Sequence, residues 1–404
     1  MRSVAVIAEF NPFHNGHAHL LRCIRQELGE DTLVTAIMSG WFVQRGSLAV
    51  ASPYVRAECA LRAGYDLVLE LPFPFSASSA EYFAEAGVSL ADRLACFDTL
   101  AFGCESGDLA PLVRISEAAD SGAYASALLL ARESEEGKRS GYAGLSRRVL
   151  AAQLSPSDAE HLLQPNNTLA IEYLRALRRH STSLAPFAVK REGQGYHEAV
   201  AGDEINASAS AVRSLLEQQK YSEISKYIEA EALSPLLKAI SEGEAPASMK
   251  KLSDAILAFF IAPSPALLTA ADEASLRLRD AALGALDLDG LLAEFSAKSD
   301  TDAHARRTLL HAYLGVTSSE LREPVRYTRV LGFRDSGREL LRIAKRKGTV
   351  ALLTKTADHV ALPPDAARQA ERSLRADRLS ALALPLRRPA ADVYRGAPRH
   401  IRTK

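Results

Sequence analysis

The sequence predicts an α/β protein, a Rossmann-like parallel-sheet domain followed by a mostly helical C-terminal domain. Three observations predict it. Over the first hundred residues, short apolar runs alternate with longer segments of helical period, the pattern of a parallel sheet. Crossovers of that length make right-handed βαβ units. Around "AISEGEAPAS", residues 239–248, small, polar and Pro/Gly residues take over, and beyond them the chain is Ala/Leu-rich without the alternation. At 404 residues two domains are expected, 1–238 and 249–404.

The elements follow in order. "SVAVIAEF" is an apolar strand run and "AHLLRCIRQEL" has helical period. The alternation continues through "TLVTAIMSG" (strand), "PYVRAECALRAG" (helix), "DLVLELP" (strand), "SSAEYFAEAGVSLADRL" (helix) and "TLAFGCE" (strand). Residues 108–180 read as mostly helix, ending in "NNTLAIEYLRALRRH", after which "SLAPFAVKRE" is another strand. "SASAVRSLLEQQ" is a Ser-rich turn whose serines can cap the helix it opens.

Lys plus Arg and Asp plus Glu number 49 each, so bulk charge announces neither a nucleic acid nor a membrane. Any basic surface must be local, and "RELLRIAKRKG" at 338–348 is the clearest one. Cys23, Cys59, Cys96 and Cys104 stand singly, without metal-type spacing, which points to a reducing compartment. No stretch approaches the roughly 20 apolar residues of a membrane span, and the N-terminus lacks a secretory h-region. A cytosolic protein is expected, with no membrane association. No HExxH or Cys/His cluster occurs, so no metal centre is expected and His197 has little support as a ligand.

In an open parallel sheet, ligands bind at the carboxyl ends of the strands. "NPFHNGHAHL" follows the first strand: Pro12 ends it, Gly16 lets the backbone approach a ligand, and His17 begins a helix whose amide groups and dipole favour phosphate. His14 and His17 can donate hydrogen bonds to charge building on a phosphoryl group. The competing reading is a pair of exposed loop histidines, or a metal pair. "MSGWFVQRGSLAV" follows the second strand; Gly40 and Gly46 bracket Trp41, Gln44 and Arg45, giving either a loop that closes over substrate through Arg45 or a surface loop with one buried Trp. "QPNNTLAIEY" places Asn166 and Asn167 at a helix start, where capping explains one and a nucleotide contact the other. Lys190 and Arg191 end a strand before a Gly-rich turn. Ser208, Ser210 and Arg213 open a helix, a second phosphate-friendly terminus. Glu70 and Glu105 are strand-end carboxylates that cap or pair as readily as they catalyse.

HxGH after the first strand, with "SASAVR" opening a late helix, resembles the nucleotidyltransferase superfamily with signatures HxGH and ISxTxIR. Ser208 and Arg213 match the second signature, Ser210 stands at its Thr, Val212 at its second Ile, and Ala207 replaces its first. More closely, "EFNPFHNGH", "MSGWFVQRG", "RAECALRAGYDLVLELP", "SAEYFA", "QPNNTLAIEYL", "GYHE" and "YTRVLGF" resemble the bacterial tRNA(Met) cytidine acetate ligases. The resemblance spans most of the chain and keeps its motif order. Ala170 stands where that family often has Gly.

The resemblance implies a nucleotidyltransferase domain and an enzyme that activates acetate with ATP, releases pyrophosphate, and passes the acetyl group from acetyl-adenylate to N4 of the wobble cytidine of elongator tRNA(Met). It implies an ATP site formed by Ile7, Ala8, Glu9, Phe10, Asn11, Pro12, Phe13, His14, Asn15, Gly16, His17, Ala18, His19 and Leu20, with Gly103, Asn167, Lys190 and Arg191. Catalysis would fall to His14, His17, Arg45, Ser210 and Arg213, with Mg²⁺ expected alongside ATP. The C-terminal domain would hold the tRNA through Arg326, Arg329, Arg338, Arg342, Lys345, Arg346 and Lys347, with Tyr327 and Phe333 either stacking on bases or filling the core. No obligate protein partner is implied. Two alternatives stay open: a small-molecule adenylyltransferase of the same superfamily, and a non-catalytic RNA-binding protein with a degenerate nucleotide fold.

Overall fold

The computed structural model describes residues 2–135, 137, 141–164, 166–191, 208–263, 273–296, 301–394 and 396–402. The Gly-rich turn after Arg191, "GYHE" with His197, and Ala207 lie outside the described residues. Strands β1 (Ser3–Ala8), β2 (Leu33–Ser39), β3 (Leu67–Leu71), β4 (Thr99–Cys104) and β5 (Ala185–Lys190) form where the apolar runs predict them. They run parallel in the order β5-β4-β1-β2-β3. Helices Asn15–Leu28, Pro53–Arg62 and Ala80–Arg93 make the crossovers. All five residues of β3 are buried, as a strand covered on both faces must be.

Beyond residue 249, helices Ser253–Ile261, Glu273–Gly284, Leu288–Ser296 and Asp302–Leu314 enclose a separate apolar core that includes Ile256, Phe260, Leu278, Leu291 and Leu309. The sequence reading placed no strand after them, but the chain then returns to the sheet. Strand β6 (Tyr327–Arg334) pairs antiparallel with β3, and β7 (Ala351–Leu353) and β8 (Arg399–Ile401) each pair parallel with β6. "YTRVLGF" places Thr328 and Arg329 side by side within its apolar residues and so breaks the two-residue alternation, which is why it was not legible as a strand. Its effect is to cover an edge of β3 that would otherwise be open. The segment around residues 239–248 is tied down on both sides: Ala247 donates to Val50 O at 2.8 Å, and Leu386 donates to Gly243 O at 2.9 Å.

The junction of β3 and β6 corrects one expectation. Arg329 is 5% exposed and sits between two buried carboxylates, forked onto Glu70 and 2.6 Å from Asp377 Oδ2 on helix Pro364–Ser380. It is a structural ion-pair residue and cannot reach an RNA phosphate. Its polarity misled because strand position, not residue type, decides its surroundings. Glu70 is thereby spoken for, and Tyr327 is core, 1% exposed.

His311 joins the two halves by donating from Nε2 to Ala77 O at 2.9 Å. Burial lowers it to about 4, and Arg307 and His304 push the same way against the Ala77 bond. Its folded value lies below the unfolded one of about 6.5, so its contribution to stability is present above pH 6.5 and is lost as pH falls toward 4. Asp377, held up at about 6 by burial, acts in the opposite sense. His311→Gln is therefore expected to reduce the loss of stability between pH 7 and pH 5 by on the order of 1 kcal/mol, measured by urea unfolding at both pH values.

Candidate active site

Strand β1 lies between β2 and β4, so the loops after β1 and β4 flank the point where the strand order reverses, the expected crevice for a ligand. The turn after β1 is rigid. Phe10 takes a left-handed backbone (φ 46°) with its ring fully buried, and packs edge-on against Phe13 at 5.1 Å and His17 at 4.8 Å. Asn11 Oδ1 accepts from Val50 N at 2.9 Å, and Asn15 N donates to Tyr227 O at 2.8 Å. Phe10, Asn11 and Phe13 are thus scaffold.

His14 caps helix Asn15–Leu28. Its Nδ1 accepts from Gly16 N at 3.1 Å, while His17 Nδ1 accepts from His14 N at 3.2 Å. Both δ nitrogens are acceptors, so each neutral ring carries its proton on Nε2, as a donor. The rings lie 3.9 Å apart. Burial, with Arg191 and Arg213 nearby, lowers His14 to about 3. Burial, then His14 and Arg191, holds His17 well below its ordinary value. Gly16 is required here: a Cβ would stand 2.9 Å from His14 Cε1.

Helix Ala209–Glu217 begins as its serines predict, with Ser208 Oγ accepting from Ala211 N at 3.3 Å. From it, Arg213 Nη1 donates to Asn11 O at 2.8 Å and Nη2 to Ser210 Oγ at 2.9 Å, fixing the guanidinium beside the first loop. Ser210 positions Arg213. On the β4 side, Arg191 N bonds Cys104 O at 2.9 Å, and a Cβ on Gly103 would meet Arg191 Cγ at 3.1 Å. Lys190 O faces His19 Nε2 at 3.3 Å, which ties β5 to the first helix.

Asn167 is fully buried and its amide is used within the protein: Oδ1 accepts from Glu105 N at 3.0 Å, and Nδ2 donates to His161 O and Gln164 Oε1. It shapes the loop after β4. Asn166 donates to Glu105 Oε1 at 2.6 Å, so Glu105 is a paired carboxylate.

Of the two readings of the loop after β2, the structure fits the one with a buried Trp. Trp41 and Phe42 are 3% and 1% exposed within the second core, and Val43 N bonds Ser47 O at 3.0 Å. Gly46 takes φ +71°, and a Cβ there would strike Arg307 N at 2.6 Å. Two adjacent aromatics found a core to enter. Arg45 stays exposed at the loop tip, its charge felt by Glu9.

Sequence reasoning missed Arg56. It is 1% exposed, and its guanidinium donates to the carbonyls of Glu9, Ser39, Gly40 and Ala51, joining the ends of β1 and β2. The available signal was an arginine among buried positions of "PYVRAECALR", where every neighbour on the helix face is apolar. Gln44 N also reaches Glu9 Oε1 at 2.8 Å.

Residues 1–391 match the HIGH Nucleotidyl Transferase family. A Caldanaerobacter subterraneus protein named tRNA(Met) cytidine acetate ligase is 34% identical over 374 residues, covering 89% of this chain and 90% of its own length. The chain belongs to the tRNA(Met) cytidine acetate ligase family. A second ligase of the family, from Syntrophotalea carbinolica, is 36% identical over 367 residues, covering 88% of this chain and 85% of its own. The crystal structure of Thermotoga maritima TmcAL in an apo form superposes with TM-score 0.90 at 25% identity over the whole of both chains. That of the same protein bound with alpha-thio ATP gives 0.87 at 25% identity, again over the whole of both chains.

Proposed function

We propose that this protein is an ATP-dependent ligase that activates acetate as acetyl-adenylate, releases pyrophosphate, and acetylates N4 of the wobble cytidine of elongator tRNA(Met) to form N4-acetylcytidine. The observation that carries this reading is the pair of neutral Nε2–H donors, His14 and His17, at a helix N-terminus on the switch point of the sheet. Acetate is itself the nucleophile, so no covalent enzyme intermediate is needed. As its oxygen approaches the α-phosphorus, charge moves onto the phosphoryl oxygens and the departing pyrophosphate. Two fixed donors, the helix dipole and Arg213 oppose that charge without reorganising. Neutral imidazoles suit the task because burial beside Arg191 and Arg213 already disfavours further positive charge.

Among the described residues no three potential metal ligands cluster. Mg²⁺ would accordingly arrive bound to the triphosphate, where it screens phosphate charge. The acceptor cytidine must leave the anticodon stack to reach this crevice. Helix Arg338–Lys347 offers the surface to hold its tRNA: Leu340 and Ala344 are buried, while Arg338, Arg342, Lys345, Arg346 and Lys347 face outward, with Arg326 exposed nearby in sequence. Phe333 is half-buried under His400, stacked at 4.9 Å. No described helix is long and apolar enough to cross a membrane, and a tRNA substrate puts the site of action in the cytoplasm. The reading requires no second protein.

Reversing Arg342, Lys345 and Arg346 to Glu is expected to weaken tRNA binding at least tenfold and to lower the slope of log affinity against log salt by about 2 to 3. An unchanged slope in filter binding across salt concentrations would remove this helix from the RNA surface. Acetate-dependent exchange of pyrophosphate into ATP tests the first half-reaction. Exchange that needs another carboxylate or a phosphorylated precursor would favour the small-molecule adenylyltransferase, and no exchange at all would favour a non-catalytic RNA binder.

A further inference from the structure

Glu9 is the first residue beyond β1, and the first half-reaction leaves it without work, because acetate attacks with no proton to lose. Its Oε1 accepts the Gln44 amide at 2.8 Å. Four groups face it. Arg45 comes from the loop after β2, Arg56 from helix Pro53–Arg62, Arg213 from helix Ala209–Glu217, and the Tyr173 hydroxyl from helix Asn167–Arg179. Arg213 acts on Glu9 and on His14 alike, and its Nη1 bonds Asn11 O, two residues past Glu9. The carboxylate thus sits at the carboxyl end of β1, tied to the loop after β2 and carried by the same loop as the two histidines.

The second half-reaction does need a base. The exocyclic amine of cytosine carries two protons and a lone pair delocalised into the ring. As N4 attacks the acetyl carbonyl it gains positive charge, and one proton must leave for an amide to result. We propose that the Glu9 carboxylate is the catalytic base that accepts this proton during acetyl transfer. The N4–C bond forms, the bond from the acetyl carbon to the adenylate oxygen breaks, AMP departs with that electron pair, and the N4 proton passes to Glu9 and then to solvent. Burial pushes the Glu9 carboxyl up, opposed by the Gln44 amide and by Arg213, Arg45 and Arg56, and a raised carboxyl is a stronger base than a free one. The inference rests on the acetyl-transfer reading above.

The test is single-turnover transfer from saturating synthetic acetyl-adenylate to unmodified tRNA(Met) transcript, for the wild type, Glu9→Gln and Glu9→Asp, from pH 5 to 8. The wild-type rate is expected to rise with pH along an acid limb. Glu9→Gln is expected to fall about 10²- to 10³-fold and to lack that limb, with Glu9→Asp between the two. Should Glu9→Gln fail to fold, a displaced limb in Glu9→Asp carries the same prediction. Equal rates at saturating adenylate, or the same limb in both enzymes, overturn the proposal. A wild type that yields no N4-acetylcytidine overturns the reading on which it rests.

Discussion

Replacing Arg329 with methionine is expected to lower the unfolding free energy by about 3–5 kcal/mol. Arg329 reaches from β6 to Glu70 on β3 and to Asp377 on the C-terminal helix, and all three are at most 5% exposed. Methionine fills much of the volume but leaves two buried carboxylates facing each other. Burial already holds Asp377 at about 6 with its cation present, and losing that cation raises it further. A carboxyl whose folded value exceeds its unfolded one costs stability as pH rises through the folded value. The defect should therefore be larger at pH 7 than at pH 5, where the orphaned groups take up protons. Urea unfolding at the two pH values checks it. A loss below 1 kcal/mol, or weakened tRNA binding without loss of stability, would return Arg329 to the RNA surface.

The second large effect is on chemistry. His17→Gln is expected to reduce acetate-dependent ATP–pyrophosphate exchange about 10²- to 10³-fold, the usual cost of one preorganised donor to a developing charge. His17 also accepts the His14 amide and touches Phe10, so a loss of about 1 kcal/mol in stability should accompany it. That is too small to explain the rate. If exchange fell less than fivefold in folded protein, the donor role of Nε2 would be wrong.

The parallel sheet was legible because buried strands must be apolar runs and their crossovers must carry helical period. The first loop was legible for a similar reason: His14, Gly16 and His17 are each dictated by local geometry, the cap, the ring folded back over a missing Cβ, and the reciprocal bond. What escaped was set by partners distant in sequence. Arg56 and Arg329 look like ordinary polar residues until the strands beside them are known, and each then spends its hydrogen bonds inside the protein. The loop after β2 was left between two readings for the same reason. Its glycines suggested motion, yet Gly46 is there to let the backbone press on the helix carrying Arg307. Strand β6 pairs with a β3 more than 250 residues earlier, a register no local pattern encodes.

The central claim is the product made from acetate and tRNA. Nucleosides from unmodified elongator tRNA(Met), incubated with the protein, ATP, Mg²⁺ and isotopically labelled acetate, should contain labelled N4-acetylcytidine by mass spectrometry, and those from a parallel incubation with His17→Ala should not. ATP cleaved to AMP and pyrophosphate with no labelled cytidine would contradict the account, leaving the phosphate site standing and sending the search for an acceptor elsewhere.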